Sequence, residues 1–142
     1  MAGGDYLLAI DAGTGSGRAV VFDRDGKQLG TSQRERWHKT DPRFPGSMDF
    51  DVEGNWKLIC DCIAGALAQA GVTGSDIAAV SATSMREAIV AFDREGREIW
   101  ACANVDGRAV QQVRELKDAF PGVEEKLYRQ TGQTFALGAL PR

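Results

Sequence analysis

The chain has little histidine, little cysteine and no long apolar run, and each scarcity excludes a class of protein. His38 is the single histidine, so a zinc site would lack ligands of the usual kind. The cysteines are odd in number (Cys60, Cys62 and Cys102), which favours free thiols over a disulfide framework. A membrane-spanning helix needs roughly 20 apolar residues, and no stretch of the sequence supplies them.

Clusters of basic residues are missing as well. The 17 Lys and Arg residues are scattered among 20 Asp and Glu residues, and the net charge is −3. A surface for nucleic acid or anionic lipid is therefore not expected. The first five residues show neither the basic nor the apolar segment of a secretory signal. We expect a cytoplasmic protein whose partners are small molecules, and the sequence leaves a homodimer open.

The stretch Leu7–Asp23 organises the rest of the chain. Two short apolar runs, Leu7–Ile10 and Ala19–Phe22, flank a polar turn and predict the strands of a β-hairpin that can be buried on both faces. At 142 residues, of which 43% are apolar, the chain is long enough to bury a core around this hairpin.

The tip of this hairpin predicts a phosphate-binding loop. Hydroxyls, a carboxylate and a cation alternate there with glycines that allow close backbone approach, in the order Asp11, Gly13, Thr14, Gly15, Ser16, Gly17, Arg18. Backbone N–H groups and hydroxyls bind phosphate oxygens, and Asp11 is suited to hold hydrated Mg²⁺. The alternative is a glycine-rich hairpin without a ligand.

Two familiar phosphate loops do not fit this pattern. The P-loop needs G-x-x-x-x-G-K followed by Ser or Thr, and five residues after Gly13 Arg18 stands where the second glycine would be. The dinucleotide fingerprint opens a helix, whereas β-branched Val20 and Val21 follow here. The loop therefore belongs to a strand–turn–strand unit.

The later segments predict a mixed α/β fold. A third, edge-like strand is expected at Gln28–Trp37, and a helix at Val52–Ala70 is capped by Asp51 and closed by Gly71. The helix should pack through a stripe formed by Trp56, Ile59, Ile63 and Leu67. A strand at Ile77–Ala82 should pair in parallel with the first strand. Further elements are expected as strands Ala88–Phe92 and Arg97–Ala101 and helices Asp106–Phe120 and Glu124–Gln130.

A second polar cluster follows the parallel strand. Because ligands bind at the carboxyl ends of parallel strands, Thr83–Glu87 should converge with Asp11–Ser16. Arg86 and Glu87 offer a donor fork beside an acceptor pair, which suits a polyol with adjacent hydroxyls. A surface ion pair between them is the alternative.

A third candidate group is Asn104, Asp106 and Arg108, before the second helix. Asp106 is a plausible N-cap. Arg108 in a first helical turn would oppose the helix dipole, which indicates that it serves another purpose.

Together these segments resemble the N-terminal domain of the FGGY carbohydrate kinases, over Tyr6–Arg142. The resemblance is carried by D-A-G-T-G-S-G-R-A-V-V-F-D, G-S-M-D-F-D, A-V-S-A-T-S-M-R-E, I-W-A-C-A-N-V-D-G-R-A, Y-R-Q-T-G-Q-T and the terminal A-L-P-R. It implies a ribonuclease-H-like domain of the actin-like ATPase type, and an ATP-dependent phosphotransferase. It also implies ATP phosphates at Gly13, Thr14, Gly15, Ser16 and Arg18, Mg²⁺ held at Asp11 through water, and an acceptor sugar at Arg86, Glu87, Asn104 and Asp106.

The sequence departs from the family pattern at one of these positions. Many relatives carry Trp where this chain has Asn104. The departure favours a small, linear, hydroxyl-rich acceptor, such as opened autoinducer-2 (4,5-dihydroxy-2,3-pentanedione), over a xylulose-like or glycerol-like sugar.

The other departure is length. The family's catalytic aspartate and the second, nucleotide-completing domain lie beyond Arg142, so no catalytic residue is assigned in this chain. We expect residues 1–142 to be the first domain of a longer kinase and to be inactive alone. A non-catalytic binding fragment and another actin-like ATPase are the alternatives.

Overall fold

The structure is a computed structural model that describes residues 4–133. Its elements are β1 (Tyr6–Ala12), β2 (Ser16–Phe22), β3 (Gln28–Glu35), α1 (Val52–Ala70), a 3-10 turn (Gly74–Asp76), β4 (Ile77–Ser84), β5 (Ile89–Phe92), β6 (Glu98–Cys102), α2 (Val110–Ala119) and α3 (Val123–Thr131). They fall into two compact units. Unit 1 comprises residues 4–37 and 51–85, and unit 2 comprises residues 38–50 and 86–133. The predicted terminal A-L-P-R motif lies outside the described residues.

Unit 1 is a four-stranded mixed sheet in the order β3-β2-β1-β4. The β1–β2 hairpin is antiparallel, with Ala12 opposite Gly17 at its closed end. β3 continues the meander at the sheet edge, and β4 pairs in parallel with β1. The predicted hairpin, edge strand and parallel strand are confirmed.

Helix α1 begins and ends where the sequence predicts. The Asp51 carboxylate accepts a hydrogen bond from the Gly54 amide at 2.8 Å, which satisfies one of the free N–H groups of the first turn. At the other end Gly71 has φ 69°, a left-handed conformation that closes the helix through N–H bonds to the last turn.

The predicted apolar stripe of α1 is wrong at Trp56, whose surface is 68% exposed. The buried positions are Asn55, Ile59, Cys62 and Ala66, which follow each other at intervals of four, three and four residues. Successive residues are rotated by about 100° around the helix axis. Trp56 therefore points away from the core when Asn55 faces it.

The core of unit 1 lies between α1 and one face of the sheet. Leu8, Ala19 and Val21 contact Cys62 and Ala66, and all five are buried. The strands were expected to be buried on both faces, but within unit 1 only this face is covered. Because side chains alternate along a strand, Leu7 points away from α1 and is 40% exposed.

Unit 2 contains the β5–β6 hairpin and the two shorter helices. β5 and β6 pair antiparallel as predicted, and Asp93 closes their turn by accepting bonds from the amides of Glu95 and Arg97. Residues 46–50 run beside β6, where the Phe50 amide donates to Ala101 O at 3.1 Å.

Helix α2 begins four residues later than predicted, at Val110. Its N-cap position is Ala109, which provides no side-chain bond, so Asp106 is not the cap that the sequence indicates. Of the expected stripe Val113 is buried, whereas Val110 and Leu116 are partly exposed. None of the helices in residues 4–133 has the length and apolar character to cross a membrane.

The contact between β3 and α1 can be tested at Gly30. A Cβ at this position would lie 2.7 Å from Ala70 N and would also clash with Ala66 O. Because both atoms are helix backbone, we expect Gly30→Ala to lower the free energy of unfolding by about 2 kcal/mol or more, as overpacking does. Urea denaturation of the chain followed by circular dichroism measures this.

Gly74→Ala is the matched control. No atom lies within 4 Å of a Cβ at Gly74, so its substitution should change stability by less than about 1 kcal/mol. Equal effects of the two substitutions would contradict the close β3–α1 contact.

Candidate functional site

The β1–β2 loop is shorter than predicted, because the strands on both sides of it are longer. Only Gly13, Thr14 and Gly15 lie between the strands, so Asp11 belongs to β1 and Arg18 to β2. These two residues are directly opposite in the strand register. The Arg18 guanidinium donates to Asp11 Oδ2 at 3.2 Å, and both side chains are about half exposed, at 48% and 43%.

The loop is anchored on the side of β3. Gly15 O accepts a hydrogen bond from the Arg36 amide at 3.0 Å, and Gln33 Nε2 donates to Ser16 Oγ at 3.3 Å. Gly17 leaves no space for a side chain, since a Cβ would lie 2.5 Å from Leu58 Cδ2. The hydroxyl and amide groups predicted to bind phosphate are therefore held by paired strands.

Arg36 is a charged residue of this region that sequence reasoning missed. It is only 6% exposed. Burial lowers the pKa of its guanidinium, and the nearby Asp11 carboxylate acts in the opposite direction. The polar stretch R-E-R-W-H resembles a solvated strand end, and no local signal distinguishes this buried arginine from the exposed Arg34.

The carboxyl ends of β1 and β4 meet as predicted. Asp11 pairs with Thr83 and Ala12 pairs with Ser84 in the parallel register. The Met85 amide then donates to Ala12 O at 3.0 Å. The exposed hydroxyls of Thr83 and Ser84 thus lie along the strand end that leads into the loop.

Arg86 and Glu87 open the second stretch of unit 2 and are both exposed. Neither side chain forms a hydrogen bond or ion pair with any residue in 4–133, so the alternative of an ion pair between them is wrong here. Glu87 has φ 68°, which is unusual for a residue with a side chain and costs about 1 kcal/mol. Such backbone strain is often found at ligand sites.

Asp106 is 1% exposed and accepts several hydrogen bonds. Its Oδ2 accepts from the Met48 amide at 2.6 Å, and its Oδ1 accepts from the Arg108 amide at 3.2 Å. The Arg108 Nε lies 3.0 and 2.9 Å from the two oxygens. In this structure the carboxylate supports the loop before α2 and is almost completely buried. A contact between Asp106 and an acceptor sugar remains a prediction.

Arg108 does not lie in the first turn of α2, so the predicted conflict with the helix dipole is wrong, although the side chain does serve another purpose. It precedes α2 and bridges two carboxylates, those of Asp106 and Asp49. Its guanidinium carbon lies 5.2 Å from the centre of the Trp100 ring, a cation–π distance. The hydrogen bonds that Arg108 donates to the Asp106 carboxylate raise the pKa of the guanidinium, against the effect of burial.

Residues 46–50 and 103–107 are joined by backbone bonds that the sequence did not reveal. The Ala103 amide donates to Met48 O at 2.9 Å, and the Gly107 amide donates to Gly46 O at 2.7 Å. Gly46 has φ 84° and lies against the backbone of Gly107. Asn104 therefore sits, partly buried, in a loop fixed at both of its ends.

The described residues contain no cluster of three or more His, Cys, Asp or Glu side chains that would hold a metal by itself. Asp11 is a single, half-exposed carboxylate beside two hydroxyl residues, Thr14 and Ser16. This donor set fits Mg²⁺, which commonly takes one or two carboxylates, water and substrate phosphates. It does not fit a metal caged by protein alone.

Comparison with known proteins decides the family. The pattern of the FGGY family of carbohydrate kinases, N-terminal domain, matches residues 6–139. This chain belongs to that family. The resemblance seen in the sequence is therefore confirmed.

Individual relatives agree with the family assignment. The chain is 56% identical over 140 residues to an autoinducer-2 kinase of Yersinia enterocolitica and 55% identical to one of Salmonella typhimurium. Each match covers 98% of this chain and 26% of the relative, so the chain spans about a quarter of their length.

Solved structures establish the fold. The xylulose kinase from Rhodospirillum rubrum superposes with a TM-score of 0.78 at 21% identity, over 94% of this chain and 27% of that one. The gluconate kinase from Lactobacillus acidophilus gives a TM-score of 0.76 at 21% identity, over 92% of this chain and 25% of its own. The predicted actin-like ATPase fold is confirmed, while the roles of individual FGGY site residues remain predictions.

The buried Asp106–Arg108 pair predicts an acid-sensitive unit 2. Burial alone would raise the pKa of Asp106, but the hydrogen bonds from Arg108 and Met48 lower it below its usual value. A lowered pKa stabilises the fold above the ordinary aspartate value of about 3.9, and this contribution is lost as the pH falls through the folded-state value. We expect the free energy of unfolding to decline below about pH 4.

Asp106→Asn tests the pair directly. At pH 7 the substitution removes one of the two carboxylates that Arg108 bridges, so the free energy of unfolding should fall by about 3 kcal/mol. The difference between variant and parent should shrink as the pH falls from about 4 towards 2. Asp118→Asn removes an exposed carboxylate on α2 and should change stability by less than about 0.5 kcal/mol. A difference that is independent of pH would contradict the charged pair.

Proposed function

We propose that this chain is the N-terminal part of an ATP-dependent kinase that phosphorylates a hydroxyl of autoinducer-2 in its opened form, 4,5-dihydroxy-2,3-pentanedione. One observation carries the proposal: the chain is 54 to 56% identical, over 96 to 98% of its length, to autoinducer-2 kinases from several bacteria. Identity at this level is far above the 21% that relates the chain to the xylulose kinase fold.

The β1–β2 loop is the proposed phosphate site. Phosphoryl transfer depends on positioning and on neutralising charge on the phosphate oxygens. The Gly13–Gly15 turn offers backbone N–H groups, and Thr14, Ser16 and Arg18 offer side-chain donors. Bound Mg²⁺ would neutralise part of the phosphate charge, with Asp11 holding it through water.

The ion pair between Arg18 and Asp11 supports this division of roles. Each side chain satisfies the other, and both are about half exposed. An exposed pair of this kind contributes little stability, so it opens at small cost. Arg18 is then available to donate to a phosphate, and Asp11 to accept from metal-bound water.

The acceptor site is proposed in unit 2. Arg86 and Glu87 are exposed, and no described residue occupies their donors and acceptors. Asn104 adds an amide where many family members have an indole, which leaves more space and a polar group. These features suit a small linear molecule with hydroxyls and carbonyls better than a bulky sugar ring.

The proposed protein is longer than this chain. No catalytic base is assigned in residues 1–142, which we propose to be the first of two domains. The activity test therefore uses a chimaera in which this chain replaces the matched quarter of the Yersinia enterocolitica kinase. With labelled ATP, the chimaera should phosphorylate 4,5-dihydroxy-2,3-pentanedione faster than xylulose or glycerol. A folded chimaera that prefers xylulose or glycerol would overturn the proposed substrate.

Asp11→Asn tests the metal role in this chimaera. The variant loses the carboxylate that holds hydrated Mg²⁺ but leaves the acceptor residues intact. We expect kcat to fall at least about tenfold with the KM for the acceptor nearly unchanged. Steady-state kinetics at saturating MgATP gives both parameters. An unchanged kcat would reject Asp11 as the metal-holding residue.

Arg86→Leu and Glu87→Gln test the acceptor pair. Each removes a charged hydrogen bond worth about 1.5 to 3 kcal/mol, so kcat/KM for the acceptor should drop roughly ten- to a hundredfold. The KM for ATP should remain near that of the unmodified chimaera.

Arg94→Leu is the control for this pair, because it removes an exposed arginine from the β5–β6 turn. Its kinetics should match the unmodified chimaera. Acceptor kinetics of Arg86→Leu and Glu87→Gln that equal those of the control would remove both residues from the site.

A further inference from the structure

The environment of Arg36 is unexpected for a charged side chain. It lies at the end of β3 and is 6% exposed, whereas Arg34, two residues earlier, is exposed. One of its guanidinium nitrogens lies 3.4 Å from the position that a Cβ on Gly17 would take. Leu58 and Ile59 of α1 border the same position. Leu58 and Ile59 fill the space that Gly17 leaves open, and the Arg36 cation lies beside it.

Burial of this cation opposes folding. The pKa of Arg36 is lowered because the guanidinium is desolvated, and the Asp11 carboxylate only partly offsets this effect. An apolar side chain of similar length would fill the same space without desolvating a charge. Desolvated charges that a fold retains are concentrated at functional sites.

The position of Arg36 connects it to the phosphate loop by two independent routes. Its amide donates to Gly15 O at 3.0 Å, so its backbone fixes one side of the Gly13–Gly15 turn. Its guanidinium lies next to Gly17, the residue between Ser16 and Arg18. A positive charge in a poorly solvated region acts over a longer distance than an exposed one, because water and salt screen it less.

We propose that Arg36 is a buried cation of the phosphate loop that attracts the polyphosphate group of a nucleotide from behind the Gly13–Gly15 turn. The inference rests on the proposed phosphate site. Arg18 supplies a half-exposed positive charge that is paired with Asp11, and Arg36 supplies a buried one behind it that needs no rearrangement when the ligand binds. Arg36 is a positioning residue, since its effect on the ligand is electrostatic.

Titration of the 142-residue chain with magnesium pyrophosphate by isothermal calorimetry tests this role. The parent chain should show saturable binding. Arg36→Met should weaken the affinity about fivefold or more, because it removes a poorly screened charge, while the melting temperature stays equal or rises. Arg36→Lys keeps the charge and should retain affinity within about twofold of the parent.

Arg24→Met is the matched control, since it removes an exposed arginine beyond the opposite end of β2. Its affinity should stay within about twofold of the parent. If net charge alone determined the affinity for pyrophosphate, Arg24→Met and Arg36→Met would lose affinity equally. That result would overturn the inference.

The same titration distinguishes failure of the phosphate site from failure of the role of Arg36. A folded parent chain without saturable pyrophosphate binding would overturn the phosphate site itself. Binding by the parent together with unchanged affinity in Arg36→Met would overturn the role of Arg36 alone. If the methionine variant does not fold, Arg36→Gln is used in its place and must show the same loss. Failure of both variants to fold would make Arg36 a structural residue and would also overturn the inference.

Discussion

The close approach of helix α1 to the sheet is the constraint on which unit 1 depends. Gly17 and Gly30 bring β2 and β3 against the helix, because a side chain at either position would collide with it. Cys62 reinforces the contact by donating its thiol hydrogen to Gly17 O at 3.3 Å. Gly17 lies two residues after Gly15, the last residue of the loop, so the packing that forms the core also fixes one side of the candidate phosphate site.

A comparable dependence exists in unit 2, but there it is electrostatic. The Asp106 carboxylate joins the Met48 amide to the Arg108 side chain, and Arg108 joins this carboxylate to Asp49. Replacing such a pair with apolar residues is often neutral for stability, so stability alone does not explain its presence. The pair holds the loop that carries Asn104, a predicted acceptor residue, in one arrangement.

The features that sequence reasoning predicted are mainly local ones. Asp51 and Gly71 bound α1 because capping depends on a few neighbouring residues. The β1–β2 hairpin follows from two apolar runs around a glycine-rich turn, and the parallel pairing of β4 follows from the helix between the strands.

The features that it missed depend on residues far apart in the chain. The local sequence predicts Asp106 as a cap, since its partner Met48, 58 positions away, gives no local signal. Arg36 is buried beside Gly17, which is 19 positions earlier in the chain, while its own neighbours in sequence are polar. Helical spacing of the apolar residues predicts that Trp56 is buried. The buried stripe of α1 instead includes Asn55, a polar residue that hydropathy would assign to the surface.

The segment after β4 passes from a bonded strand end to strained backbone within three residues. Met85 is the last residue of unit 1, and its amide is bonded to Ala12 O at the point where β1 enters the β1–β2 loop. Arg86 and Glu87 follow immediately, and the left-handed backbone of Glu87 fixes the direction of its side chain. A backbone held in the left-handed region at Glu87 costs about 1 kcal/mol, which packing within the described residues does not explain because both side chains are exposed. The strain is therefore a physical reason, independent of the sequence motif, to test Arg86 and Glu87 as the predicted acceptor residues.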